Sequence, residues 1–162
     1  MNEVNQSEMM ENQPMDILLV DDNDADIKIT ERAFKRAKFR NNLFVACDGQ
    51  EALDFIFRQG AFQDKDKYPT PDVILLDINM PKLNGFEVLQ RLKSNGEFNY
   101  IPVVMLTSSR SQEDIFRSYS QGAASYIQKP VEYENFTQII DGFNFYWHVI
   151  NKLPDSKYLT NL

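Results

Sequence analysis

Five short apolar runs alternate with longer segments of helical period along this sequence, and that alternation constrains the fold more than any other feature. The runs are nearly continuous in hydrophobicity, as expected for strands that are covered on both faces. They lie at Met15–Val20, Leu43–Cys47, Val73–Leu76, Ile101–Leu106 and Ser125–Gln128. Strict alternation of strands and helices predicts an α/β fold with a doubly wound, five-stranded parallel sheet and right-handed crossovers.

The segments between and after the runs are predicted as helices at Ala25–Lys38, Gln50–Arg58, Phe86–Ser94, Gln112–Gln121 and Tyr133–Leu153. Asp24 is expected to cap the first helix, Asp48-Gly49 to form a turn, and Asn84-Gly85 to lead into the third helix. Residues 60–71 contain the polar stretch DKDK and predict a long surface loop. We therefore expect one domain over residues 15–153, with tails at 1–14 and 154–162.

Charge and cysteine content exclude several classes of protein. The net charge of −7 argues against a nucleic-acid surface and against docking on anionic lipid, because both need clustered Lys and Arg. Cys47 is the single cysteine, so no internal disulfide is possible. The first thirteen residues lack the features of a signal peptide, and no apolar stretch approaches the ~20 residues of a membrane span. We expect a cytoplasmic protein without nucleic-acid or membrane partners.

Polar residues follow four of the five runs at the point where each predicted strand ends. They are Asp21 and Asp22, Asp77, Thr107 and Lys129. Ligands of open α/β sheets bind outside the carboxyl ends of the strands, where the strand order reverses. If the order is 2-1-3-4-5, this point lies between strands 1 and 3, so the three aspartates would share one crevice.

Three carboxylates in one crevice repel one another unless a cation neutralises them. An all-oxygen ligand set without His or Cys favours Mg²⁺ over Zn²⁺. Asp77 is then a candidate nucleophile, because carboxylates form aspartyl-phosphates. Lys129 and the Thr107 hydroxyl would bind the phosphate oxygens. Each residue alone is more often a cap or a surface charge, so the prediction rests on their shared position. His148, the single histidine, is expected to be an ordinary surface residue.

Four segments make the sequence recognisable. They are ILLVDDN (Ile17–Asn23), VILLDINMPKLNGFEVL (Val73–Leu89), VVMLTSS (Val103–Ser109) and GAASYIQKP (Gly122–Pro130). They resemble the signature blocks of bacterial response-regulator receiver domains, and the resemblance runs in register from about Met15 to the end of the last helix. It implies a flavodoxin-like sheet with the strand order 2-1-3-4-5.

The resemblance also implies a division of roles at the metal. Asp77 would accept a phosphoryl group from a sensor histidine kinase in the presence of Mg²⁺, with Mn²⁺ as an alternative. Asp22 would bind the metal directly, Asp21 would help through water, and Asn79 would contribute its backbone carbonyl.

The remaining implied roles concern the phosphorylated state. Thr107 and Lys129 would contact the phosphoryl oxygens, and Tyr126 would turn inward on activation. The Lys129-Pro130 bond is usually cis in this family. We expect self-phosphorylation from small donors and slow self-dephosphorylation, but not an enzyme.

A narrower resemblance rests on the long loop and on the tail GFNFYWHVINKLP (Gly142–Pro154). Both are similar to the small stand-alone regulators that pair with cyanobacterial phytochromes and related sensor kinases, which implies a kinase of phytochrome type. Apolar residues also lie off the core-facing stripe of the last helix. They predict a homodimer through helix 4, strand 5 and helix 5, with contacts at Phe116, Tyr119, Phe145 and Val149.

Three alternatives were weighed against the receiver. An aspartate-nucleophile phosphatase would need a second acid two residues after Asp77, where this chain has Asn79. An FMN carrier would need a Ser/Thr/Gly-rich loop after strand 1, where this chain has DDNDAD. A degenerate receiver that serves only as an interaction module would lack Asp22, Asp77 or Lys129, and all three are present.

Overall fold

A computed structural model of the chain describes residues 13–129, 135 and 138–142. Five strands form one parallel sheet of order β2-β1-β3-β4-β5, which confirms the predicted order. The strands are β1 Met15–Val20, β2 Asn41–Ala46, β3 Val73–Leu76, β4 Val103–Thr107 and β5 Ser125–Gln128. The helices are α1 Asp24–Lys35, α2 Gly49–Ile56, α3 Gly85–Lys93 and α4 Gln112–Ser120. Within these described ranges, no helix is long and apolar enough to cross a membrane.

Part of the predicted last helix lies among the described residues, and 138–142 are helical. Ile140 of this segment is fully buried. Residues 1–12 of the predicted N-terminal tail, the predicted tail at 154–162, and the residues Pro130, Phe145, His148 and Val149 fall outside the described residues.

The strands lie between two layers of helices. Alternate β1 side chains separate the layers: Leu18 and Val20 join one buried cluster, whereas Ile17 and Leu19 join the other. The first cluster includes the buried faces of α2 and α3, and the second includes those of α1 and the last helix. Both faces of β1 and β3 are therefore covered, which explains why these runs are continuously apolar rather than alternating.

Side-chain caps fix where the helices begin, and two of the predicted caps are corrected. The cap of α1 is Asn23, not Asp24, because the Asp26 N–H donates to Asn23 Oδ1 at 3.0 Å. Asp48 does not form a free turn with Gly49 but caps α2, accepting from the Glu51 N–H at 2.8 Å. Asn84 leads into α3 as predicted, in a reciprocal capping box with Glu87.

The charged centre of the predicted loop over residues 60–71 is exposed, but aromatic residues of the same loop pack against the protein core. It begins with a 3₁₀ turn at Gly60–Phe62. The Phe62 and Tyr68 rings contact each other at a centroid distance of 5.0 Å, and Phe55 of α2 lies 5.2 Å from Phe62. These aromatic contacts hold the loop against the cluster beneath α2.

A close backbone approach at Gly85 brings the beginning of α3 against the end of β3. The Gly85 N–H donates to the Ile78 carbonyl at 2.8 Å. A Cβ at this position would lie 2.2 Å from the Asp77 carbonyl oxygen and 2.8 Å from Ile78 Cα. Only glycine allows this approach, so the backbone at Asp77 is held directly by the first residue of α3.

We predict that Gly85→Ala lowers the free energy of unfolding by about 3 kcal/mol, because the added methyl group meets backbone rather than a movable side chain. Urea denaturation followed by circular dichroism measures this change. Gly96→Ala is the matched control, since nothing lies within 4 Å of a Cβ there and the residue is exposed. Equal stability of the two variants would contradict the prediction.

Candidate functional site

The predicted site residues all lie at the carboxyl edge of the sheet, where backbone hydrogen bonds extend the strand ladder by one residue. The Asp21 N–H donates to the Ala46 carbonyl at 3.1 Å, and the Asp77 N–H donates to the Val20 carbonyl at 3.0 Å. The Lys129 N–H donates to the Thr107 carbonyl at 2.7 Å. Each side chain therefore leaves a backbone that is fixed by its neighbouring strand.

Asp21, Asp22 and Asp77 come together as the sequence predicted, and we call them the carboxylate cluster. One oxygen from each lies within 4.8 Å of the others. Asp21 and Asp77 are buried, at 1% and 8% exposure, whereas Asp22 is exposed. Small side-chain rotations would bring such oxygens within the ~4.2 Å that two ligands of one Mg²⁺ span. The donor set thus fits a hard divalent cation with one side open to water.

Lys129 lies among three carboxylates. Its Nζ is 2.5 Å from Asp21 Oδ2, 3.0 Å from Asp26 Oδ2 and 3.6 Å from Asp77 Oδ2. The first two contacts are hydrogen bonds, and the third is an ion contact without a hydrogen bond. The side chain of Lys129 is 11% exposed, so these charges interact with little screening by solvent.

Asp26 is a site residue that the sequence did not indicate. It lies in the first turn of α1, where an acidic residue is ordinary because it complements the helix dipole. Its contact with Lys129 joins residues 103 positions apart, and no local pattern reveals such a pair.

Burial controls the charge of Asp77. It raises the pKa of this carboxyl above its ordinary value, and the nearby Asp21 carboxylate acts in the same direction. The Lys129 ammonium and the hydrogen bond from Thr107 lower the pKa, but they do not cancel the burial. Without a metal, ionised Asp77 is therefore less favourable than an ordinary surface aspartate.

Lys129 has the opposite balance. Burial alone would lower its pKa, but the hydrogen bonds to Asp21 and Asp26 and the charge of Asp77 outweigh it and raise the pKa above its ordinary value. The lysine therefore stays charged, and it is the cation available to the carboxylate cluster in the described chain.

The end of β4 is connected to α4 and β5 through Ser109. Its N–H donates to Thr107 Oγ1 at 3.3 Å, and its hydroxyl donates to Asp114 Oδ2 at 2.6 Å. The Tyr126 hydroxyl donates to the Ser109 carbonyl at 2.9 Å. Thr107 is fully buried and its hydroxyl accepts from Ser109. A displacement of this hydroxyl would therefore act on the loop that follows β4.

Asn79 lies two residues after Asp77 and is exposed, between the buried residues Ile78 and Met80. The expected role of its backbone carbonyl stays a prediction, as does the inward turn of Tyr126.

Comparison with known proteins identifies relatives that match along most of this chain. The profile of the response regulator receiver domain matches residues 17–141. The chain is 34% identical to the response regulator Rcp1 of Synechocystis over 143 residues, which cover 88% of this chain and 95% of Rcp1. It is 36% identical over 142 residues to FilR2 of Methanothrix harundinacea, a probable methanogenesis regulatory protein, with 87% of this chain and 88% of FilR2 covered.

Solved structures agree with these relatives. The phosphorylated cyanobacterial phytochrome response regulator RcpA superposes with a TM-score of 0.78 at 34% identity, covering 88% of this chain and 100% of RcpA. The Mn²⁺-bound form of Rcp1 superposes with a TM-score of 0.75 at 33% identity and with the same coverage of both chains.

We predict that Asp77→Asn raises the stability of the metal-free protein at neutral pH, because it removes a carboxylate whose ionisation is penalised by burial. A raised pKa in the folded state means that Asp77 favours folding below the ordinary pKa of about 3.9 and loses this contribution as the pH rises through the folded value. The gain of Asp77→Asn should therefore be largest above that range and disappear in acid. Urea titrations in EDTA across this pH range measure the difference, and a gain independent of pH would contradict it.

Proposed function

Since this chain belongs to the family of response-regulator receiver domains, we propose that it is a phosphoryl-accepting switch of a two-component system, with Asp77 as the acceptor. The observation that carries the proposal is the grouping of Asp77 with two further carboxylates, with Lys129 and with Thr107. Among the described residues, no other aspartate combines a carboxylate cluster with a lysine and a buried hydroxyl.

In the proposed reaction, one Asp77 oxygen attacks the phosphorus of a phosphohistidine on a sensor histidine kinase. A phosphorus–oxygen bond forms to Asp77 while the phosphorus–nitrogen bond breaks, and the imidazole nitrogen leaves with that electron pair. Transfer adds negative charge to a site where burial already makes charge on Asp77 unfavourable, so the reaction needs positive charge beside Asp77.

Lys129 and Thr107 would stabilise the transferred group. The ammonium lies 3.6 Å from Asp77 and can hydrogen-bond to a phosphoryl oxygen after releasing a carboxylate. The Thr107 hydroxyl lies close enough to Asp77 to lower the pKa of its carboxyl, and it would be able to donate to the added group. The backbones of both residues are fixed at the edge of the sheet, so both donors start close to Asp77.

We further propose that the carboxylate cluster holds Mg²⁺, which would neutralise charge on the phosphoryl oxygens during transfer. Asp22 would be a direct ligand because it is exposed, Asp77 would be another, and Asn79 would add its backbone carbonyl. Asp21 would act through water, since its carboxylate already accepts from Lys129 and from the Asn23 N–H at 3.0 Å. The Mn²⁺-bound structure of Rcp1 supports a divalent metal of this class.

The sensor histidine kinase is proposed to be of phytochrome type, because RcpA is described as a cyanobacterial phytochrome response regulator. FilR2 is comparably similar, so phosphotransfer from several kinases to this chain is the decisive comparison. We propose that the protein acts in the cytoplasm, where such kinases are phosphorylated by ATP. It is proposed to be a substrate of the kinase rather than an enzyme, with slow self-dephosphorylation.

Incubation with acetyl phosphate and Mg²⁺ should add the mass of one phosphoryl group, and hydroxylamine should remove it because an acyl phosphate is labile. Asp77→Asn should abolish the added mass, as measured by intact-protein mass spectrometry. Asp24→Asn, an exposed acid in the first turn of α1, is the matched control and should leave labelling unchanged. Labelling of Asp77→Asn to the wild-type extent would sink the assignment.

The switch is proposed to act on a face formed by α4, β5 and the last helix, and through it on self-association. Phe116 is 74% exposed and Tyr119 is 49% exposed, and both lie on α4. Large exposed apolar side chains in one helix favour a protein contact. Ser109 connects this helix to Thr107, so phosphorylation of Asp77 has a structural route to the face.

We predict a homodimer that is strengthened by beryllofluoride, which imitates the phosphoryl group on Asp77. Sedimentation at micromolar protein should show the dimer in wild type and its loss in Phe116→Asp and in Phe145→Asp. Ile29→Asp is the matched control, because Ile29 is 46% exposed but lies on α1, which is not part of the proposed face. A monomer in both wild-type conditions would refute the dimer, and equal disruption by Ile29→Asp would refute its location.

A further inference from the structure

The ammonium of Lys129 is hydrogen-bonded to two aspartates, and the acceptor Asp77 is not one of them. Asp21 and Asp26 accept its hydrogen bonds. The distance from Lys129 Nζ to Asp26 Oδ2 is 3.0 Å, whereas the distance to Asp77 Oδ2 is 3.6 Å. Asp26 therefore competes with Asp77 for the cation that the proposed reaction requires near the phosphoryl group.

Asp26 is held in place for this contact. Its N–H donates to the Asn23 side chain, and its carbonyl accepts from the Thr30 hydroxyl at 2.9 Å. Thr30 is buried, so the backbone of Asp26 is attached to the packed side of α1. The Asp26 side chain is 38% exposed, and it can follow a moving ammonium without entering the core.

Occupation of the carboxylate cluster changes the balance around Lys129. The cluster contains Asp21 and Asp77 but not Asp26. A dication bound there would repel the ammonium and, even through a bridging water, weaken the attraction of Asp21, the nearest partner of Lys129. Among the described residues, Asp26 is the remaining carboxylate within hydrogen-bond distance of Lys129.

We propose that Asp26 is a positioning residue for Lys129, which receives the ammonium when a divalent cation enters and holds it beside Asp77 until a phosphoryl oxygen replaces Asp26 as its partner. The inference rests on the proposed function, because it takes the carboxylate cluster to be the metal site. Asp26 acts only through Lys129 and touches neither the metal nor the phosphoryl group.

The first test is Mg²⁺ binding by calorimetry. Asp26→Asn should weaken binding about fivefold, because Lys129 then stays on Asp21 and Asp77 and must be displaced at greater cost. Lys129→Ala should bind Mg²⁺ as well as wild type or better, and Asp26→Asn should have no further effect in the Lys129→Ala background. Asp24→Asn removes the same charge from the same helix turn without the lysine contact, and should change binding less than twofold.

Five results decide the inference. Equal weakening by Asp26→Asn and Asp24→Asn, or a full effect of Asp26→Asn in the Lys129→Ala background, would overturn it, because either shows action through the general field. Recovery of binding by Asp26→Glu, which restores the carboxylate, would support it. A wild type that binds no Mg²⁺ would refute the proposed function as well, whereas a normal wild type with a normal Asp26→Asn variant would refute this inference alone.

A measurement without metal keeps the pair testable if a variant folds poorly. In EDTA, Asp26→Asn should shift the urea midpoint further downwards in the Lys129-containing protein than in the Lys129→Ala protein, because only the former has the ion pair to lose. Equal shifts in the two backgrounds would show that Asp26 and Lys129 do not interact, and would overturn the inference.

Discussion

The structure depends on an imbalance of charge at the carboxyl edge of its sheet. Asp21, Asp26 and Asp77 surround Lys129, and Asp22 completes the carboxylate cluster. Four carboxylates face one ammonium, so the metal-free site keeps an excess of negative charge whatever the positions of the side chains. Burial of Asp21 and Asp77 makes this excess costly. The metal-free site therefore favours the binding of a cation.

Packing of the apolar sheet provides the stability that offsets the repulsion among the charged residues at its edge. Strands β1, β3 and β4 are buried almost throughout, with clusters on both faces. Backbone hydrogen bonds continue one residue past β1, β3 and β5 and fix Asp21, Asp77 and Lys129. The close approach at Gly85 removes the remaining freedom of the backbone at Asp77. Hydrophobic packing therefore holds like charges together that would separate in a flexible chain.

Sequence reasoning predicted the parts of the fold that hydrophobic pattern controls. The bounds of β1, β3 and β5 agree with the structure because apolar runs define them. Strand β2 begins two residues early, at Asn41, because its register with Met15 and a hydrogen bond from Asn41 Nδ2 to the Phe34 carbonyl satisfy polar residues there. The carboxylate cluster was predictable because strand order brings its members together. The contact of Asp26 with Lys129 was not predictable, since the two residues lie 103 positions apart in the sequence and meet only through their side chains.

The same charged edge also connects the chemistry to a distant surface. The Thr107 hydroxyl lowers the pKa of Asp77, and the same hydroxyl oxygen accepts a hydrogen bond from the Ser109 N–H. Ser109 in turn contacts Asp114 of α4 and Tyr126 of β5, so one short loop joins both elements. In the proposed mechanism, a phosphoryl group would draw the Thr107 hydroxyl and thereby act on three hydrogen bonds at once. Because these bonds share one residue, the loop favours a few discrete arrangements over gradual change, which is what a two-state switch requires.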